Sequence, residues 1–126
     1  MIHTEGFLKV VDDAKSRVKE VTVAETRDRL AANRAALLID VREDHEWDDS
    51  RAAGAIHLGK GIIERDVETT VPEKSTELIL YCGGGYRSAL AADVLQTMGY
   101  TNVWSMAGGW KAWNEAGAPV EKPDPN

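Results

Sequence analysis

One stretch, residues 78–98, constrains the fold of this chain more than any other. It begins with the apolar run from Leu78 to Tyr81, which is typical of a buried strand, and it continues into residues 86–98, where apolar side chains recur at helical spacing. A cysteine and three glycines lie between the two, and a tyrosine and an arginine begin the second segment. A buried strand that leads through a short loop into a helix is the building unit of a parallel α/β sheet.

Cys82, the only cysteine of the chain, stands at the end of this predicted strand. The first N–H groups of a helix lack partners within the helix, and the helix dipole adds partial positive charge there. The three glycines at 83–85 let a short loop direct N–H groups to one point, and Arg87 adds a permanent charge. We therefore expect the loop to stabilise an anion, either a bound oxyanion or the Cys82 thiolate.

A lone cysteine is more often a small, inert, buried hydrophobe than a nucleophile. Three glycines in a row indicate only a loop. The conjunction of strand end, cysteine, glycine loop, arginine and helix start within one short stretch favours a catalytic Cys82.

Composition limits the possible partners and compartments. A chain of 126 residues with 43% hydrophobic and 29% charged residues fits one globular domain. Its net charge of −6 argues against nucleic acid and anionic membranes as partners, and we find neither a membrane-spanning run nor a signal peptide. One cysteine cannot form an internal disulfide, so we expect a reducing compartment, the cytoplasm.

The rest of the chain alternates between helical and strand patterns. Residues 5–19 are predicted to form an amphipathic helix, so residues 1–20 are an N-terminal part of the same domain. The main body of the domain follows at 21–120. A frayed tail is predicted at 121–126, with the polar, proline-containing composition beginning at Val120. Strands are predicted at 20–22, 35–41, 55–58, 77–81 and 102–106. Further helices are predicted at 22–32, 43–48, 61–67 and 86–98. A last helix is predicted to begin at 108 and to end before Gly117 and Pro119.

Local signals sharpen some of these elements. Thr22 and Glu25 match a capping box, and Gly99 stands where a glycine should end the helix before it. We expect Trp47 to point inward. Asp40 ends the strand at 35–41, where it could accept N–H bonds from the cysteine loop or simply pair with Arg42; a structural role is favoured.

The sequence resembles the single-domain rhodanese-like sulfurtransferases over roughly residues 21–120. Four segments carry the resemblance in the right order and spacing: Leu38-Ile39-Asp40-Val41-Arg42-Glu43 with Glu46-Trp47, Gly54-Ala55-Ile56-His57-Leu58, Cys82-Gly83-Gly84-Gly85-Tyr86-Arg87-Ser88, and Ala107-Gly108-Gly109-Trp110-Lys111-Ala112-Trp113. The family usually has Gly-His-Ile-Pro-Gly-Ala before its third strand. This chain lacks that His and Pro at 49–55, a departure that concerns the local turn rather than the chemistry.

The resemblance implies a rhodanese-like α/β fold, a five-stranded parallel sheet with helices on both faces. It also implies that Cys82 accepts a sulfane sulfur as a persulfide, commonly from thiosulfate, and passes it to cyanide, a thiol or a protein acceptor. By the same resemblance Ser88 caps the following helix or steadies the loop, and the anion cradle is lined by Gly83, Gly84, Gly85, Tyr86 and Arg87. No cofactor is implied, and His3, His45 and His57 lack metal-ligand spacing.

Two other functions stay open at this stage. A Cys-dependent phosphatase or arsenate reductase also uses a thiolate in an anion-binding loop, but phosphatase loops have one residue more between cysteine and arginine than the four found here. A non-catalytic rhodanese-like binding module is the second alternative, although such a module would more naturally lack the cysteine.

Overall fold

The computed structural model describes residues 3–123, and its framework is a five-stranded parallel sheet. The strands of this sheet are β1 (Lys19–Val21), β2 (Leu37–Asp40), β4 (Ile56–His57), β5 (Leu78–Tyr81) and β6 (Val103–Met106). Their spatial order is β1-β6-β5-β2-β4, and every neighbouring pair is parallel. The predicted fold class is confirmed. Two short strands, β3 (Arg51–Ala52) and β7 (Val120–Glu121), form a separate antiparallel pair.

Helices cover both faces of the sheet, because alternate side chains of a strand point to opposite faces. The helices are α1 (Glu5–Lys15), α2 (Val23–Ala32), α3 (Asp44–Asp49), α4 (Ile63–Thr70), α5 (Tyr86–Thr97) and α6 (Gly109–Glu115). Leu78 and Leu80 pack in one core with residues of α4 and α5. Ile79 and Tyr81 pack in the opposite core with residues of α2 and α6.

The central strands end side by side, and this places the site. Asp40, the last residue of β2, is in register with Tyr81, the last residue of β5. The N–H of Val41 donates to the Tyr81 carbonyl oxygen at 3.0 Å, so the pairing continues to the carboxyl edge. In parallel α/β sheets ligands bind at this edge.

The boundaries of several elements follow the predicted signals, with shifts. The α2 capping box forms as predicted: the Glu25 N–H donates to Thr22 Oγ1 at 3.1 Å, and the Thr22 N–H donates to Glu25 Oε1 at 2.9 Å. The first helix ends at Lys15 rather than at residue 19, because Lys19 enters β1 and pairs with Trp104. The helix expected at 61–67 lies at Ile63–Thr70.

The predicted frayed tail is wrong in its first residues. Val120 and Glu121 pair with Ala52 and Arg51, and the Gly54 N–H donates to Glu121 Oε1 at 2.9 Å. These contacts join distant parts of the chain, so local composition gave no sign of them. Residues 124–126, the end of the predicted tail, lie outside the described residues.

Trp47 is less buried than the prediction of an inward side chain requires. Its ring is partly exposed and stacks on the His57 ring with centroids 5.0 Å apart, while the Arg51 guanidinium lies over it at 4.5 Å. Within residues 3–123, no helix combines the length and apolar character needed to cross a membrane.

Candidate active site

Cys82 follows β5 directly and is 1% exposed. Its sulfur accepts two backbone hydrogen bonds, from the Gly85 N–H at 3.1 Å and from the Ser88 N–H at 3.4 Å. Both donors belong to the start of α5, where N–H groups have no helical partner. The predicted loop therefore curls back on its own cysteine.

Gly85 makes this curl possible. Its φ of +97° lies in the left-handed region, which side chains other than glycine rarely adopt. A Cβ atom there would also lie 3.2 Å from the Gly108 nitrogen. Gly85 thus serves both the local turn and the close approach of a second loop.

That second loop, at the start of α6, supports the cysteine loop through backbone hydrogen bonds. The Trp110 N–H donates to the Cys82 carbonyl oxygen at 2.7 Å, and the Lys111 N–H donates to the Gly83 carbonyl oxygen at 3.1 Å. Gly109 lies so close that a Cβ atom would overlap the Cys82 carbonyl oxygen and lie 2.9 Å from Gly83. The segment at 107–113 therefore holds the loop through its backbone.

Ser88 contacts the cysteine sulfur, and it does not cap α5. Gly85 occupies the N-cap position, with no side-chain cap hydrogen bond, which corrects the capping role. The Ser88 Oγ lies 3.5 Å from the Cys82 sulfur and 2.8 Å from Ser105 Oγ on the neighbouring strand β6. This fully buried pair of hydroxyls links the sulfur to the sheet.

Arg87 lines the cavity but is already paired. Its Nη1 donates to Glu46 Oε1 at 2.9 Å and its Nη2 to Glu46 Oε2 at 3.4 Å, and the two side chains are 30% and 28% exposed. Burial, the largest single influence on Glu46, works against its ionisation, but the hydrogen bonds from Arg87 and from the Glu43 N–H, together with the charges of Arg87 and Arg42, outweigh it and lower the pKa of this carboxyl. The hydrogen bond to Glu46 raises the pKa of Arg87.

The sequence prediction of the site did not include Glu46. It lies on α3, which follows the end of β2 as the cysteine loop follows β5, so the parallel register of the two strands brings the helix to the loop. The signal available beforehand was its place in the Glu46-Trp47 segment.

A cavity of about 740 Å³ opens at the cysteine loop. Tyr86 faces this cavity, with its ring centroid 4.4 Å from that of His3 and 6.2 Å from that of Phe7. The remaining lining residues come from the first helix region, from α3 and from the loop: Thr4, His45, Glu46, Cys82, Gly83, Gly84 and Arg87. The sequence prediction placed Phe7 only on the apolar stripe of the first helix, since which helix covers a loop is a tertiary property.

Asp40 does not hold the cysteine loop. Its carboxylate accepts hydrogen bonds from Arg42 Nε at 3.0 Å, from Arg42 Nη2 at 2.8 Å and from the Tyr81 hydroxyl at 2.6 Å. Burial raises the pKa of Tyr81, and the hydrogen bond to Asp40 raises it further. Of the two predicted alternatives, the structure shows the pairing with Arg42.

The site thus offers one cysteine sulfur, two backbone donors that point at it, and a wall on which the charges of Arg87 and Glu46 balance. A sulfur held by N–H donors next to an open cavity can attack an electrophilic atom that enters from that side. Among residues 3–123, no three His, Cys, Asp or Glu side chains are grouped so that they could hold a metal ion.

Comparison with known proteins agrees with this geometry. Residues 22–116 match the rhodanese-like domain family. The chain is 34% identical over 116 residues to the probable adenylyltransferase/sulfurtransferase MoeZ of Mycobacterium tuberculosis, which covers 90% of this chain but only 30% of that longer protein. It is 36% identical over 86 residues to the thiosulfate sulfurtransferase GlpE of Actinobacillus succinogenes, covering 68% of this chain and 76% of GlpE.

A solved structure from Rhodopseudomonas palustris superposes with a TM-score of 0.82 at 29% identity, covering 96% of this chain and 98% of that one. That protein is described as having unknown function and as a possible tyrosine phosphatase. The family match spans most of the chain, and the relatives that share it include sulfurtransferases. The chain therefore belongs to the rhodanese-like sulfurtransferase family.

Proposed function

We propose that Cys82 carries a sulfane sulfur as a persulfide, taken from thiosulfate and delivered to a thiophilic acceptor such as cyanide, a thiol or a protein. The observation that carries the proposal is the pair of backbone N–H groups, of Gly85 and Ser88, that point at the cysteine sulfur. Hydrogen bonds to a charged form favour that form, so these donors can stabilise negative charge on the sulfur during the reaction.

The reaction proceeds in two displacements. The Cys82 thiolate attacks the outer sulfur of thiosulfate, the S–S bond of the donor breaks, and sulfite leaves with its electron pair. The acceptor then attacks the outer sulfur of the persulfide, and Cys82 leaves as a thiolate. The loop N–H groups stabilise the negative sulfur at the start and at the end of the cycle. We place this chemistry in the cytoplasm, where a reducing environment keeps Cys82 a free thiol.

The acceptor must come from outside the chain, because Cys82 is its only cysteine. A second cysteine could attack the persulfide and form a disulfide. Here the persulfide persists until an acceptor arrives, so donor and acceptor react in turn. The thiosulfate sulfurtransferase activity in the name of the GlpE relative supports thiosulfate as donor.

A phosphatase is the second candidate, favoured by the description of the Rhodopseudomonas palustris structure as a possible tyrosine phosphatase. One observation speaks for sulfur transfer instead: only four residues separate Cys82 from Arg87, which makes a small loop.

Mass spectrometry tests the proposal directly. After incubation with thiosulfate the intact mass should rise by one sulfur atom, return to the original value on addition of cyanide, and never rise in Cys82→Ser. Steady-state rates with both substrates varied should give parallel reciprocal plots. Hydrolysis of an aryl phosphate that disappears in Cys82→Ser, without any sulfur adduct on the wild type, would establish the phosphatase instead.

A further inference from the structure

Three rings from two parts of the chain form a rim over the cysteine loop. His3 and Phe7 come from the first helix and the residues just before it, and Tyr86 comes from the loop itself. The ring centroids of His3 and Phe7 lie 5.2 Å apart, and those of His3 and Tyr86 lie 4.4 Å apart. We name His3, Phe7 and Tyr86 the aromatic rim. His3 and Phe7 precede the matched family region, which starts at residue 22.

The cavity under the aromatic rim is much larger than the small sulfur compounds named above. Its volume of about 740 Å³ lies within the range of about 300–1,000 Å³ typical of sites for organic ligands. Thiosulfate and cyanide have only a few atoms each and fill little of it. Much of the volume therefore stays available to a larger group, and the aromatic rim that lines the cavity would remove an apolar group from water.

The charges around the cavity also favour an uncharged organic group as the ligand. Arg87, the cationic side chain beside the loop, is held by both oxygens of Glu46. A strongly anionic group entering the cavity therefore meets a carboxylate together with the guanidinium. An uncharged organic group meets a wall whose charges already balance, so it leaves no buried charge without a partner.

We propose that the preferred sulfur acceptor is a low-molecular-weight thiol whose carbon chain carries an aromatic group, which packs against the aromatic rim. This inference rests on the proposed persulfide of Cys82. The acceptor thiolate attacks the outer sulfur, a new S–S bond forms, the bond from that sulfur to Cys82 Sγ breaks, and Cys82 leaves as a thiolate. The product is the organic persulfide of the acceptor, and no oxidant or reductant is consumed.

The test compares acceptors that differ only in the ring. Protein loaded with thiosulfate is unloaded in single turnovers by 2-phenylethanethiol, ethanethiol or cyanide. Contacts between aromatic rings predict that wild type prefers the phenyl compound over the ethyl compound by about threefold to tenfold. Phe7→Ala should lose most of that preference, measured as the ratio of its own rates with the two thiols. Val10→Ala, on the same helix but 55% exposed, is the matched control and should behave as wild type.

A second measurement does not depend on sulfur transfer. The alcohol 2-phenylethanol has the same shape but cannot react, so it should slow alkylation of Cys82 in wild type more than ethanol does at equal concentration, and it should do so less in Phe7→Ala. Equal protection by the two alcohols, or equal unloading by the two thiols, would overturn the aromatic acceptor. If thiosulfate leaves no sulfur on Cys82 at all, the proposed persulfide fails, while the protection assay still decides whether the rim binds aromatic groups.

Discussion

Two neighbouring strands end at the same edge of the sheet, and each is followed by an arginine paired with a carboxylate. After β2, Arg42 pairs with Asp40, and the two side chains are 4% and 0% exposed. After β5, Arg87 pairs with Glu46, and these side chains are 30% and 28% exposed. The chemistry of the two pairs is the same, but their surroundings differ.

The buried pair is closed. Asp40 also accepts the Tyr81 hydroxyl, and Arg42 also donates to the Ser50 carbonyl oxygen at 2.7 Å. These hydrogen bonds tie the ends of β2 and β5 and residue 50 together, so the pair has a structural role. The Arg87 pair faces the cavity beside Cys82, where a ligand can compete for it. The comparison teaches that the degree of burial separates a structural ion pair from one available to a site.

Removing the buried arginine should have the largest effect on stability. Arg42→Ala leaves the Asp40 carboxylate buried without its cation, which costs about 3–5 kcal/mol. Urea denaturation measures this loss. Arg87→Ala is the matched control, and because its pair is partly exposed it should lose only about 0–1 kcal/mol. Equal losses in the two variants would remove the distinction between the pairs.

The brace on the cysteine loop offers the next largest effect. Gly109→Ala introduces a Cβ that overlaps the Cys82 carbonyl oxygen. It also places a side chain on a residue whose backbone φ is +52°, in the left-handed region. We expect a loss of about 2–4 kcal/mol from overpacking and left-handed strain together, with slower alkylation or sulfur loading of Cys82. Gly117→Ala, at a φ of +67° with no atom within 4 Å, is the control for strain alone and should lose about 1–2 kcal/mol. A smaller loss of unfolding free energy in Gly109→Ala than in Gly117→Ala would show that the two loops move apart to accommodate the added methyl group.

Exchange of each arginine for lysine, which conserves the charge, distinguishes the role of Arg87 in sulfur loading from the role of Arg42 in stability. Lysine keeps the charge but cannot reach both oxygens of a carboxylate with a planar fork. Arg87→Lys should slow sulfur loading from thiosulfate about tenfold, equivalent to ~1.4 kcal/mol, with little change in the urea midpoint. Arg42→Lys should show the opposite, a lower midpoint with loading preserved in the folded protein. If Arg87→Lys loads at the wild-type rate, only the charge of Arg87 matters.

The smallest expected effect concerns acid stability. The pKa of Glu46 is lowered in the folded protein, so the Arg87 pair stabilises fully above the ordinary glutamate pKa of about 4.3 and loses this contribution as the pH falls through the folded value. Glu46→Gln should therefore be less stable than wild type by up to ~1 kcal/mol at neutral pH and equally stable in strong acid. The exposed Glu115→Gln serves as control. A difference that persists unchanged into acid would contradict the assigned ion pair.

Much of the architecture could be predicted because its signals are local. The apolar run at 78–81 and the Thr22 capping box depend on neighbours within a few residues, and both appear in the structure. The cysteine loop could be predicted for the same reason, since Cys82 and the N–H groups that point at its sulfur lie within seven consecutive residues.

Contacts between distant segments could not be predicted in this way. The pairing of Val120 with Ala52 and the ion pair of Glu46 with Arg87 each join residues that are far apart in the chain. Neither leaves a local pattern of hydropathy or spacing, so the prediction showed a frayed tail and gave Glu46 no place at the site.

The parallel α/β sheet and the cysteine at the end of β5 follow from the amino-acid sequence alone, because periodicity and turn chemistry act over a few residues. What surrounds that cysteine depends on the tertiary structure. Register between β2 and β5 brings Glu46 to Arg87, and the packing of the first helix brings Phe7 to Tyr86. These contacts form when separate elements bury their apolar faces against one sheet, and that burial is a property of the whole chain.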